Sequence, residues 1–566
     1  MNKLQRCRAP VYEMLEQYRI VGNISYHVPG HKNGAAYDGV EGAGFLDEVM
    51  KYDVTEITGT DDLHHPEGVI KEAQELAADC FGAEESFFLV GGSTAGNLAL
   101  ILTACPEPGM ILILQRNVHK SVIHGLMLAG VRAVFVEPLI DPLSGLAVAP
   151  AAEAVEAALA AYPEAAAVFV TMPNYYGMGS DLAPLARICH DSGVPLLVDE
   201  AHGAHYGQHP ALPAGALACG ADGVVQSTHK MLTAMTMGAM LHVQGQRLDR
   251  ALLSQRLAMV QSSSPSYPMM ASLDLARRLL HSRGSEAFTA GLAAVDVLRR
   301  GLAELPRYGL VQPAEPLHDG TPLHDGTPLH DGTPLHDGTP LHDGTPLHDG
   351  TPLHDGTPLH DGTPLHDGTP LHDGTPLHKA AYETQDPFKV VIYDATGVLG
   401  GFELQRRLEA KGCVPEMSDD RHVVLLFSLG SKAEDAARLL QALREIDSEV
   451  TSESPHTAGI SESQNISTWN NLNVLQISAP VPFSLKPVSA NEVESINLEH
   501  SVGRVAAEMV IPYPPGIPLL YPGEVITDQI QQRLTGLAYG GAKFQACADP
   551  VLQRIKVYNI QKGGEV

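Results

Sequence analysis

VPLLVDEAHGAHYG, residues 194–207, is an apolar run that stops at an acid, then carries a second acid and two histidines. The run is too short for a self-burying helix and too apolar for a loop, so it reads as a buried strand. The same pattern recurs through residues 86–245. SFFLV (86–90) leads into TAGNLALILTA (94–104), and MILIL (110–114) into HKSVIHGLMLAG (119–130). VRAVFVEP (131–138), AAAVFVTMP (165–173) and ADGVVQSTHK (221–230) follow. Short apolar runs separated by amphipathic segments predict an α/β fold with a mostly parallel sheet. In such sheets ligands sit outside the carboxyl ends of the strands. Attention therefore falls on the residues just after each run.

The chain has 566 residues and a formal net charge of −29. Without a basic block, that balance argues against nucleic acid or an anionic membrane as the main partner. It permits a small cationic substrate. The seven cysteines are scattered and contain no CxxC pair, which fits a reducing compartment better than a disulfide framework or a zinc site. The N-terminal segment lacks the apolar core of a signal peptide, and no stretch is long and apolar enough for a membrane span. A cytoplasmic protein is expected.

Residues 1–300 are expected to form an N-terminal arm and the large domain, with an amphipathic helix at 285–305 leading out of it. A connection spans 301–385 and contains the hexapeptide PLHDGT, repeated ten times with a partial copy, at 316–378. Each unit offers one leucine beside a proline and a glycine. The tract therefore reads as a turn-rich loop falling between two units, with a metal-sequestering His/Asp array as the alternative. DPFKVVIYD (386–394), GFELQRRLEAKG (401–412), HVVLLFSLG (422–430) and KAEDAARLLQALREI (432–446) predict strand, helix, strand and helix, a small α/β domain over 386–448. A polar linker is expected over 449–480, and a C-terminal domain with the Pro-rich IPYPPGIPLLYPGE (511–524) over 481–566.

Three chemistries compete for DEAHGAHYG. A helicase needs the phosphate-cradling G-x-x-x-x-G-K-[ST], and the nearest glycine-rich turn, VGGSTAGN (90–97), lacks the lysine. A zinc site on His202 and His205 has no third obvious ligand. The remaining reading uses residues at several strand ends. GGSTAGN follows a strand and opens a helix, so its free N–H groups with Ser93 and Thr94 suit a phosphate. Asp199 ends one strand, and Lys230, in QSTHK, follows another. A buried Asp for a pyridinium nitrogen and a Lys for a Schiff base are what pyridoxal phosphate requires. Ser227 and His229 extend the phosphate cup, and His119 is placed to lie on the ring. Taken singly, each has a structural role available: a helix cap for Ser93 and Thr94, a core histidine for His119, a solvated lysine for Lys230.

The motif set YHVPGHKNG (26–34), GGSTAGN (91–97), RNVHKS (116–121), DEAHGAHYG, STHKMLTA (227–234), SSSPSYPMMASLD (262–274) and PYPPGIPLLYPGE (512–524) resembles the Orn/Lys/Arg decarboxylases. The resemblance implies the aspartate aminotransferase fold, and a short form without the extra N-terminal domain of the large acid-induced enzymes. By that resemblance Lys230 carries pyridoxal 5'-phosphate and Asp199 contacts its ring nitrogen. Ser93, Thr94, Ser227 and His229 hold the phosphate. His119 stacks on the ring, and Ala201 packs under the opposite face. The phosphate turn departs from the NGTS-like sequence of many relatives, and His202, a further candidate contact of the cofactor, stands where several large relatives have Trp. The HVPGHK and SSPSYP segments are expected to reach a partner subunit's site in a homodimer.

The expected reaction is α-decarboxylation of a basic amino acid, arginine first, with lysine and ornithine open, feeding polyamine synthesis. Lys230 or His229 returns the proton to Cα. Glu524 is the leading candidate for reading the substrate cation, followed by Asp61 and Asp62, whose other reading is a solvated loop carboxylate. Glu200 and His205 are expected to be scaffold. The alternative is an aminotransferase or C–S lyase of the same fold, which would call on an arginine such as Arg504, Arg533 or Arg554 for the substrate carboxylate.

Overall fold

A computed structural model of the chain describes residues 3–313, 381–452, 477–513 and 516–559. The PLHDGT tract, most of the polar linker and Pro514–Pro515 lie outside the described residues. In chain order the strands of the first half are β1 (Glu85–Leu89), β2 (Ile111–Gln115), β3 (Arg132–Val136), β4 (Ala165–Thr171), β5 (Met178–Gly179), β6 (Leu196–Asp199), β7 (Gly223–Gln226) and β8 (Ala239–Val243). All of these but β5 enter one sheet ordered β1-β8-β7-β6-β4-β2-β3, with β14 (Val481–Pro482) added beyond β3. Pairings from β7 through β3 are parallel. Every residue of β2, β6 and β7 is buried, as a sheet covered on both faces requires.

The expected runs all become strands, but β8 was not read as one. It inserts antiparallel between β1 and β7. The helix Gly92–Ala104 lies close on this end of the sheet through Gly96. A Cβ there would meet Leu89 Cδ1 at 2.8 Å and both Val225 Cγ atoms at 2.9 Å.

The later strands are β9 (Tyr308–Leu310), β10 (Thr384–Gln385), β11 (Lys389–Asp394), β12 (Met417–Ser418) and β13 (His422–Leu426). A second sheet runs β12-β13-β11-β9, while β10 pairs with β5. β9 precedes the repeat and β11 follows it, and they are hydrogen-bonded partners. The repeat thus interrupts one sheet rather than separating two units, because its flanks are tied by backbone bonds. The helix Thr289–Ala303 also joins this part. Its Ala294, Val295, Leu298 and Leu302 share a core with Leu439, Leu443 and Ile446 of the helix Ala433–Ser452. The expected boundary at residue 300 falls inside that first helix.

The expected linker is shorter than 449–480. Residues 449–452 end a helix, Ile477 bridges to Val136, and β14 pairs with β3. The C-terminal part contains β15 (Val493–Asn497), β16 (Ile511–Tyr513), β17 (Lys543–Gln545) and β18 (Arg554–Tyr558) around Leu498, Val510, Leu520, Leu534 and Ile555. Phe483, Met509, Ile511 and Tyr521 instead enter the main sheet's core. No described helix is long and apolar enough to cross a membrane.

Candidate active site

Asp199 closes β6 beside Thr171 of β4 and Val225 of β7, buried at the carboxyl edge of the sheet. Its Oδ2 accepts from Asn97 Nδ2 at 2.9 Å and its Oδ1 from the Ala201 N–H at 3.1 Å. Burial pushes the carboxyl up, while Lys230, Asn97 and Ala201 pull it down. The Asn97 amide also donates to Ser121 Oγ at 3.0 Å, and that oxygen lies 2.9 Å from His119 Nδ1. His119 caps the helix Lys120–Ala129 by accepting the Ser121 N–H, so Nδ1 is bare and the proton sits on Nε2. Burial, then the nearby lysines, hold this ring down at about 4, so it is neutral at physiological pH.

The second cluster faces the helix Gly92–Ala104. No side chain caps its N-terminus, where Gly92 takes φ +75°. Ser93 Oγ lies 2.9 Å from the buried Ser227 Oγ, which directly follows β7. Thr94 is exposed on the same first turn. Uncapped N–H groups, with hydroxyls from this first turn and from the residue after β7, make a donor set for a dianion.

Lys230 stands on the short helix Thr228–Met231. Burial lowers its pKa, opposed by Asp199 and Glu416. Its Nζ is 3.0 Å from His202 Nε2, and His202 Nδ1 is 3.0 Å from Nζ of the buried Lys389. The Tyr175 ring lies 4.3 Å from the His202 ring, and its hydroxyl donates to Glu416 at 2.8 Å. His229 Nδ1 is 3.0 Å from the Gly238 carbonyl; a carbonyl only accepts, so Nδ1 carries the proton and Nε2 is left for a ligand.

Asn97, Ser121, Tyr175, Lys389 and Glu416 were given no role from the sequence. Asn97 lies in GGSTAGN and Ser121 in RNVHKS, and Lys389 lies in DPFKVV, where a charge opening an apolar run is the only signal.

The HxxH pair divides. His202 faces the two lysines, whereas His205 pairs with Asp386 at 3.0 Å with both side chains fully buried. Glu200 takes the Ala216 N–H and the Gln226 amide, and burial pushes it up to about 8. Both are built into the scaffold.

Asp61 is a correction. Its carboxylate accepts the backbone N–H groups of Asp62, Glu67, Gly68, Ile70 and Lys71, so it holds its own loop instead of offering oxygens to a substrate. Asp62 likewise accepts the His64 N–H. Glu524 Oε2 accepts from Arg116 at 2.9 Å and from the Tyr521 N–H at 2.7 Å, while Oε1 takes part in neither bond. The three arginines named for a transaminase are engaged elsewhere: Arg504 with Glu494, Arg533 with Asp420, and Arg554 with Ser495 and Asn497.

The cluster fits pyridoxal phosphate. Among the described residues no cation forms an ion pair with the buried Asp199, which suits a pyridinium. Lys230 supplies a desolvated amine, and Ser93, Thr94 and Ser227 surround an uncapped helix end.

Residues 9–435 match the Orn/Lys/Arg decarboxylase major domain, and 483–544 match the C-terminal domain of the same family. The chain is similar to the uncharacterized protein YaaO of Bacillus subtilis, 35% identical over 93% of this chain and 94% of that one. It is 30% identical to an arginine decarboxylase of Halalkalibacterium halodurans, over 94% of each chain. In fold it is similar to the Escherichia coli constitutive lysine decarboxylase, with a TM-score of 0.71 at 22% identity, covering 98% of this chain and 82% of that one.

Proposed function

The chain belongs to the Orn/Lys/Arg decarboxylase family, a decarboxylase acting on basic amino acids, and from that premise we propose that its substrate is arginine, released as agmatine. The buried Lys230 and Asp199, meeting at one strand-end site, carry the catalytic part of this reading. The near full-length similarity to proteins named arginine decarboxylase supports the substrate. Agmatine is a polyamine precursor, which extends the proposal to polyamine synthesis.

Lys230 and Asp199 would hold pyridoxal phosphate, with Ser93, Thr94, Ser227 and His229 around its phosphate and His119 and Ala201 against its two faces. When bound, the cofactor supplies an electron sink for the bonding pair left as CO₂ departs. Asp199, fixed by Asn97 and Ala201, would face the ring nitrogen, whose positive charge would offset the burial that raises this carboxyl. Neutral His119 adds contact area without competing positive charge. Lys230 would return the proton to Cα; His229, whose one proton is held on Nδ1 by the Gly238 carbonyl, could do so only after its Nε2 has first taken one up. Glu524 Oε1 is the proposed reader of the guanidinium. The exposed apolar side chains Ile24, Tyr26, Val28 and Phe45 of the N-terminal arm support a homodimer in which this arm covers the partner's site.

The test is CO₂ release from arginine, lysine and ornithine, measured separately on protein supplied with pyridoxal phosphate. Arginine is expected to be turned over fastest, and no release from any of the three sinks the reading. A keto acid in place of the amine would favour a transaminase, which the engaged Arg504, Arg533 and Arg554 argue against.

A further inference from the structure

The His202 ring lies between two lysines, with Nε2 3.0 Å from Lys230 Nζ and Nδ1 3.0 Å from Lys389 Nζ. A neutral imidazole has one N–H and one lone pair, so it cannot accept from two ammonium groups. One lysine must receive the ring's N–H as an uncharged amine. A doubly protonated ring is no escape, because burial, then Lys230 and Lys389, hold His202 well below its ordinary range.

The surroundings choose between the two lysines. Lys389 Nζ lies 5.2 Å from the centre of the Tyr175 ring, whose electron-rich face favours a cation. Burial pulls the Lys389 ammonium down to about 8, opposed by Asp386 and Glu416, so below that pH it keeps its charge. Lys230 has Asp199 and Glu416 on its side, but among the described residues no aromatic face lies under its Nζ.

We propose that Lys389 is a positioning residue: it donates to His202 Nδ1, so that the ring turns Nε2–H toward Lys230 and holds that amine uncharged. The proposal rests on the reading of Lys230 as the cofactor's lysine. Only the uncharged amine can take up the cofactor. Its nitrogen forms a C=N bond to the aldehyde carbon, and the aldehyde oxygen leaves as water with both amine hydrogens. The other titratable groups facing this relay are His119, His229, Tyr175, and Asp386 with its partner His205.

Removing the Lys389 charge acts in one direction by two routes. A repelling cation disappears, and His202 is released to offer its lone pair to a charged Lys230. Both raise the pH at which Lys230 loses its proton.

The experiment follows the rate of pyridoxal phosphate capture by the cofactor-free full chain against pH, through growth of its visible absorption band. Lys389→Met is expected to move the midpoint of the profile up by about one pH unit. Lys389→Arg, which keeps a donor and a charge, should restore the wild-type midpoint. A uniformly slower Lys389→Met with an unmoved midpoint overturns the proposal, as a packing role would give that result. If Lys389→Met does not fold, the ¹⁵N-histidine difference between the wild-type chain and His202→Gln decides. An Nε2–H tautomer at His202 is expected, and an Nδ1–H tautomer or an imidazolium overturns the relay. No capture by the wild type at any pH overturns the functional reading and the relay together.

Discussion

At the scale of single residues, two carboxylates that look alike in the sequence do opposite work. Asp61 accepts five backbone N–H groups and sits at φ +68°, whereas Glu524 keeps one oxygen out of its bonds to Arg116 and Tyr521. Asp61→Ala should lower stability by about 2 kcal/mol in denaturant unfolding and leave the arginine KM near the wild-type value. Glu524→Gln should do the reverse, raising KM about tenfold with little loss of stability. Equal KM effects in the two variants would overturn this division. Burial tends to raise the Asp61 carboxyl, but the backbone donors outweigh it and the net shift is downward. Its stabilisation is therefore present above about pH 4, the unfolded value, and is lost as pH falls through the lower folded value. Asp61→Ala should flatten that acid limb. Lys230, Asp199, Ser93 and Ser227 were legible because each sits just past an apolar run. Lys389 was not, since a lysine opening a strand ordinarily points to solvent. Only the fold reveals that this one is buried against His202.

At the scale of elements, the strand-end site depends on how closely the helix Gly92–Ala104 lies on the sheet. That helix carries Ser93 at its start and Asn97 in its second turn, so its seat sets both the phosphate end and the Asp199 end of the site. A side chain at Gly96 must displace Leu89 or Val225. Gly96→Ala should cost about 1–3 kcal/mol in thermal unfolding and weaken pyridoxal phosphate binding, read by titration of the visible band. Lost stability with unchanged cofactor affinity would show that the helix is seated by other contacts. The alternating runs made most of the main sheet readable, because buried parallel strands leave a near-continuous apolar signal. β8 escaped because AMLHV carries a histidine, which is buried and paired with Ser86 and Gln226. β14 escaped because two residues have no periodicity to read.

At the scale of the whole molecule, the chain returns to its own beginnings. β14 lengthens the first sheet, and Tyr521 stacks on Phe135 at 5.2 Å beneath the Arg116 guanidinium. No local pattern announces such pairings, which is why the polar segment read as a plain linker. The second sheet closes in the same way across the hexapeptide tract. Val311 before it and Tyr382 after it lie in one buried cluster, and the Val311 N–H donates to the Val391 carbonyl at 2.9 Å. Replacing 316–378 by a short Gly/Ser turn should leave kcat/KM within about twofold; loss of activity with an intact fold would assign the tract a catalytic part. The ladder between β9 and β11 has a further consequence for heredity. Its register is set by the two strands alone, so the fold does not count the PLHDGT units between them. Each unit is a whole number of codons, and slippage during DNA replication adds or removes units without a frameshift. Lineages descended from one ancestor are then free to differ in copy number while inheriting the same enzyme.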